Sequence, residues 1–203
     1  VSFGRIVSGG VLERAAEAVL SEWLPYHIAE VARQEGHQAG DPWPPDPRTV
    51  ETFSAVTTWD ELPLPAILVV STGTDGDPSR DGRGRWSAWW RLAVSVIASA
   101  NSHDNTRRVC HVYGAAIRSV LVTHPTLGGA CDRMDWAGEQ YEPVFADAAR
   151  TLGMVTVNIR VHIADVVSHA PRVMPTPPPP PHDPWPADST IQTTTILGEA
   201  NQP

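Results

Sequence analysis

Four side chains with metal-binding chemistry, Cys110, His111, His124 and Cys131, are the first candidates in this sequence for a reactive site. Two thiolates and two imidazoles suit tetrahedral zinc, provided that short loops present them in pairs at C-x2-4-C and H-x3-5-H spacing. That spacing is missing. Cys110 and His111 are neighbours on a predicted helix, so they point about 100° apart and do not readily share one ion. A second candidate is the segment TDGDPSRDGRGR, where Asp75, Asp77 and Asp81 alternate with glycines as calcium ligands do. It lacks the closing bidentate glutamate of an EF-hand, and Pro78 and Arg80 interrupt it, so it reads as a solvated hairpin tip. The third candidate is His162 with Asp165 and Asp135, the raw material of a general base, but nothing supplies a nucleophile or oxyanion donors beside it. There is no G-x-S-x-G, no H-E-x-x-H and no phosphate-binding loop ending in Gly-Lys-Ser/Thr. The residues predict no enzyme, no metal and no cofactor.

The elements that would have to position any site are legible from periodicity. From Val11, the residues Leu12, Ala15, Ala16, Val19, Leu20, Trp23 and Leu24 recur at three- and four-residue steps, one face of a helix that starts near Ser8. Pro25 is expected to end or kink it, although YHIAEVARQEG can carry it on to Gly36. Residues 37–65 are proline-rich and read as a long surface loop, pinned by Trp43, Phe53 and Trp59. AILVVSTG (66–73) is a short apolar run, a buried strand. RWSAWWRLAVSVIASA alternates, with Trp90, Leu92, Val94, Val96 and Ala98 on one face and Trp89, Arg91, Ala93 and Ser95 on the other. A helix follows, capped by Ser102 or Asp104, with Val109, Val112, Tyr113, Ala116, Val120 and Leu121 as its buried stripe and Pro125 as its stop. CDRMDWAGEQYEPVF reads as a hairpin turning at Ala137 and Gly138. MVTVNIRVHIADVV sets Val155, Val157, Ile159, Val161 and Ile163 against Thr156, Asn158, Arg160 and His162, and such a polar second face needs solvent or a partner.

These elements predict an α+β fold: an antiparallel or mixed sheet of about five strands with two main helices, followed by an extended proline-rich C-terminal arm. The domain spans 1–169 and the arm 170–203. With 41% hydrophobic and 19% charged residues, the chain is composed like a soluble globular protein. Arg5, Glu13, Arg14 and Glu17 interrupt any signal-peptide core, and no stretch is long and apolar enough for a membrane span, so neither is expected. Two cysteines make no disulfide framework, which leaves Cys110 and Cys131 as reduced, partly buried thiols. A formal charge of -8 disfavours a protein whose task is to grip nucleic acid. All 15 basic residues are arginine, a bias that GC-rich codon usage explains better than interface use of the guanidinium does. Of the eight tryptophans, Trp86, Trp89 and Trp90 crowd one strand start, as interface anchors or as core.

In order and local wording, the chain resembles the tail terminator (tail-completion) proteins of long-tailed bacteriophages, in the form found in phages of actinobacteria. The resemblance rests on the early amphipathic helix, the proline-rich loop, LPAILVVSTG, RWSAWWRLAVSVIAS, IRSVLVTHPTLGG, MDWAGEQYEPV and TLGMVTVNIRVHIADVV, and covers roughly residues 8–168. It implies a structural virion protein, made in the bacterial host cytoplasm, that forms a ring at the head-proximal end of the tail tube. Such a ring is a homohexamer that ends tube polymerisation and joins the tail tube protein to neck or head-completion proteins. Genomic DNA passes through it without specific binding, and an acidic channel lining would let the duplex slide. On this reading the partner contacts fall to Trp136, Tyr141, Arg160 and His162 in the domain.

The arm lies beyond the family pattern and is read from its own chemistry. Residues 171–187 are rich enough in proline to favour polyproline II, which at ~3.1 Å per residue spans about 50 Å. A domain of this size has a radius of gyration near ~15 Å, so such a rod can cross it and reach a neighbour. STIQTTTIL (189–197) is expected to add a strand there, with Pro177, Pro181, Trp185, Ile191 and Ile196 as contact residues. Two other functions fit less of the sequence: a head–tail connector or stopper, and a non-viral adaptor whose PTPPPPP is a ligand for a proline-binding domain.

Overall fold

The structure is a computed structural model that describes residues 7–36, 47–52, 63–146 and 151–167. Trp43, Phe53 and Trp59, and the whole arm with Pro177, Pro181, Trp185, Ile191 and Ile196, lie outside the described residues. The fold is α+β, with two helices and a mixed six-stranded sheet. Helix α1 (Gly9–Gln34) is followed by β1 (Thr49–Thr52), β2 (Ala66–Thr74), β3 (Ser79–Arg80), β4 (Trp86–Ser99), α2 (His103–Thr123), β5 (Arg133–Ala146) and β6 (Thr151–Val167). The sheet order is β1-β2-β4-β6-β5, with the two-residue β3 paired to β4 off this path.

Helix α1 runs through Pro25 without stopping. An interior proline costs about 3 kcal/mol, but the turns beyond it bury Ile28 and Ala32. At about 1.5–3 kcal/mol for a fully buried Ile, with a smaller share from Ala, that burial offsets much of the break. Pro25 itself is exposed, and the chain leaves the helix at Gly36, whose φ of 91° suits glycine. Of the predicted stripe, Leu12, Ala16, Val19, Leu20 and Leu24 are buried, whereas Trp23 stays 37% exposed. In α2, Ser102 is the N-cap and its hydroxyl accepts from the Asn105 amide. All six predicted stripe residues are essentially inaccessible.

Both helices lie on one side of the sheet, over a core of Ile67 and Val69 from β2, alternate residues of β4 from Leu92 to Ala98, and Val155 to Ile163 of β6. The other side carries the complementary positions of the same strands: Trp89 and Arg91 on β4, and Asn158, Arg160 and His162 on β6. At the sheet's end, the Val7 amide donates to the Val166 carbonyl, which ties the start of the described chain to the end of β6.

Two expectations are corrected. The sequence CDRMDWAGEQYEPVF is no hairpin: β5 runs from Arg133 to Ala146 along β6, and Ala137–Gly138 is a bulge in the ladder, where the register shifts between Trp136 and Gly138. Gly138 takes φ 138°, a conformation that bulge and turn both demand of glycine, so the local signal was real but served one continuous strand. Residues 49–52 form β1 within the expected loop, parallel to β2 with Thr49 opposite Ala66, which makes the sheet mixed. The last strand is interior, flanked by β4 and β5, and its polar residues lie on the open side of the sheet.

Candidate functional site

Two side-chain networks stand out, one on each side of the long edge strand β5. The first faces the helices. Trp136, Glu139 and Tyr141 of β5 lie opposite the core residues Ile159, Val157 and Val155 of β6, so they share the helix-facing side and meet α2. Arg118 of α2 donates from Nη1 to Glu139 Oε1 at 2.6 Å and lays its guanidinium over the Trp136 ring at 5.1 Å. The Tyr141 hydroxyl donates to the other Glu139 oxygen at 2.8 Å. The Glu139 side chain is only 9% exposed, so both of its oxygens are matched where an unmet acceptor costs about 1–3 kcal/mol. Burial, then the bond to Glu139, push the Tyr141 phenol up to about 12. His111 stacks on Tyr141 at 4.5 Å, and beyond it His103, Arg107, Cys110, Glu142 and Met154 line a cleft of about 400 Å³.

The second network lies on the open side. Trp89 is the centre: Arg133 and Arg160 lie over its ring at 4.7 and 4.8 Å, and the His162 ring is 5.0 Å away. Register explains the assembly, because β4 pairs Trp89 with His162 and β5 pairs Arg133 with the same histidine. Asp75, just past the end of β2, accepts from Arg91 Nε at 2.7 Å. It also sits 2.5 Å from Arg160 Nε, off the N–H axis, so that contact is an ion pair and not a directed hydrogen bond. The Arg91 hydrogen bond is the main cause holding the Asp75 carboxyl below its usual value. Stacked arginine and tryptophan can accept planar polar or aromatic groups of a partner, and each such contact is worth about 0.5–1 kcal/mol when exposed.

The four predicted contact residues of the domain thus fall on two opposite faces. Trp136 and Tyr141 (51% and 43% exposed) sit on the helix side of β5, while Arg160 and His162 sit in the open face. The carboxylate nearest His162 is Asp132, at 4.0 Å from Nδ1, whereas Asp135 lies across from Arg160. Asp165 has a buried oxygen with no partner among the described residues. The zinc candidates separate. Cys110 is a buried thiol pushed up to about 11 by desolvation. His124 packs on Trp23 at 4.9 Å beyond the far end of α2, about 20 Å along the helix at 1.5 Å per residue. Cys131 is a second buried thiol, its sulfur donating toward the Pro125 carbonyl. In the acidic loop, Asp75 is committed to arginines, and Asp81 accepts from the Arg83 and Arg85 amides and from Arg85 Nε. Among the described residues no group of His, Cys, Asp or Glu is placed to hold a metal.

Arg118, Glu139, Arg133 and Asp75 were not singled out for these networks from the sequence. Their signal was available only as register, which sequence alone does not supply. Among the described residues no helix is long and apolar enough to cross a membrane. No protein-family model matches the chain, and no curated protein matches it.

Proposed function

We propose that this chain is a structural subunit of a ring that closes the head-proximal end of a phage tail tube, stops tube growth and joins the tail to neck or head-completion proteins. The observation that carries this reading is the resemblance in motif order over roughly residues 8–168, whose segments fall on successive elements of one sheet-and-helix unit. Two features are in keeping with a ring subunit. Strand β5 presents exposed Trp136 and Tyr141 along a sheet edge, residue types that dominate protein contacts. The open sheet face offers a prebuilt Arg–Trp–Arg stack for polar or planar groups of a partner. The partners on this reading are further copies of the chain, the tail tube protein and a neck protein, in the virion.

Light scattering on the purified protein, with and without tail tube protein, tests it. The expected result is a species near six times the 22.0 kDa chain mass, alone or on adding tube protein. A strict monomer that ignores tube protein overturns the reading.

A further inference from the structure

Among the described residues β5 has one strand neighbour, β6, so the backbone groups along its other edge have no ladder partner there. Arg133 and Asp135 stand opposite His162 and Arg160 of β6, and Gln140 and Glu142 opposite Thr156 and Met154, so these four exposed residues share the open side. Met134, Trp136, Glu139 and Tyr141 stand opposite the core residues Val161, Ile159, Val157 and Val155 and share the helix side. The bulge at Ala137 switches the open-side set from odd positions before it to even positions after it. An edge that is exposed along this length is a template for another strand.

We infer that this edge pairs with the same edge of a second copy of the chain, antiparallel about a two-fold axis that runs through the bulge. One register satisfies both flanks. In it Arg133 faces the partner's Glu142, Met134 the partner's Tyr141, Asp135 the partner's Gln140 and Trp136 the partner's Glu139, and the two-fold repeats each pair. Every pair then joins like flanks, open side to open side and helix side to helix side. Opposite charges meet in the two outermost pairs, the Gln140 amide reaches a carboxylate, and the exposed Trp136 and Tyr141 rings gain cross-strand neighbours.

The neighbouring registers fail on the same residues. A slip of one sets open-side residues against helix-side ones, because the side-chain period is two. A slip of two in one direction brings Asp135 against the partner's Glu142, like charges directly opposite; in the other it leaves Tyr141 and Glu142 beyond the partner's Arg133. Pro143, with no amide hydrogen to donate, falls just outside the ladder. A second copy is thus the occupant that the edge's own charges and flanks specify. On the helix side Arg118 comes near its twin at the axis, a like-charge approach that its 2.6 Å bond to Glu139 offsets. A two-fold contact closes on two copies and does not propagate round a ring. The pair is therefore a form of the free subunit, whose edge has to open before any ring contact uses it, and the inference does not rest on the tail reading.

Sedimentation of the free full-length protein is expected to show a dimer near twice the 22.0 kDa chain mass at micromolar concentration. Arg133→Glu and Glu142→Arg, both at exposed positions, each put like charges into both outermost pairs, and each is expected to weaken dimerisation at least about tenfold. Mixed in equal amounts, the two variants restore opposite charges in both outermost pairs of a mixed dimer. The mixture is therefore expected to return to within about threefold of the wild-type affinity, a recovery that also shows both variants to be folded. A wild-type protein that stays monomeric up to about 100 μM overturns the inference. So does a dimer that neither substitution weakens, or a mixture no tighter than the single variants. A dimer that passes these tests in a protein that ignores tail tube protein removes the tail-end reading and leaves the pairing; a monomer that assembles into rings on the tube does the reverse.

Discussion

A methyl group added at Gly114 probes the helix-facing network at its tightest point. An ideal Cβ there lies 2.9 Å from the Tyr141 hydroxyl oxygen and 3.1 Å from Val155 Cγ2. Val155 is fully buried and has little room to yield, whereas Tyr141 is 43% exposed and can swing out. Swinging out breaks its 2.8 Å bond to Glu139 and leaves a nearly buried carboxylate oxygen unmet. Overpacking costs about 1–3 kcal/mol, and the abandoned acceptor costs about 1–3 kcal/mol. Alanine in place of an interior helical glycine returns about 1 kcal/mol. Gly114→Ala is therefore expected to destabilise by about 1–5 kcal/mol in urea unfolding, with Tm lowered by about 2–4 °C per kcal/mol in a domain of this size. The control is Tyr141→Phe, which removes the colliding oxygen. In that background Gly114→Ala keeps only the Val155 contact and falls to about 0–1 kcal/mol, so the two substitutions couple by at least about 1 kcal/mol. If Gly114→Ala stabilises the protein, or if the two effects simply add, the close approach of Tyr141 to α2 is wrong.

Further outcomes follow from other buried or paired groups. Thr106, fully buried, donates its hydroxyl to the Ser102 carbonyl and accepts from the Ala100 amide. Thr106→Val keeps the shape but orphans that amide, so it is expected to cost about 1–3 kcal/mol in urea unfolding, and an unchanged midpoint refutes it. One phenol is expected to titrate near 12 in tyrosinate absorbance and to vanish in Tyr141→Phe. Because the folded value is raised from 10.0, its contribution is fully present below pH 10 and is lost as pH climbs toward 12; complete ionisation of the native protein by about pH 10.5 would contradict this. Asp75 has the opposite sign. Its depressed carboxyl value makes the Arg91 pairing stabilising at neutral pH and lost as pH falls below 3.8 through the folded value. Acid unfolding should thus be less steep in Asp75→Asn, and superimposable profiles would show that the pair contributes nothing.

Periodicity identified the elements that carry continuous apolar stripes, and the reason is physical. In α2 and β6 the buried residues recur with the period of the element itself, because one face must meet the core along the whole length. Strand β1 escaped because TVET is four residues long and is held by its parallel pairing to β2. The bulge in β5 was mistaken for a turn because both ask the same thing of a glycine, and only the partner strand decides between them. The networks on β5 and around Trp89 were illegible for a related reason: each joins residues from separate elements, two in the first and four stretches of chain in the second, and no local spacing records a register. Register also changes what the chain's composition means. Around Trp89 the charges of Arg91, Arg133 and Arg160 are set against Asp75, Asp132 and Asp135, so the acidic surplus of the whole chain is not located there. A face with balanced charge and a stacked tryptophan neither repels a passing phosphate backbone nor neutralises it, and its chemistry suits matched polar contacts. If the ring proposed above surrounds DNA, the open face therefore belongs between protein surfaces, and the channel lining has to be sought on another side of the domain.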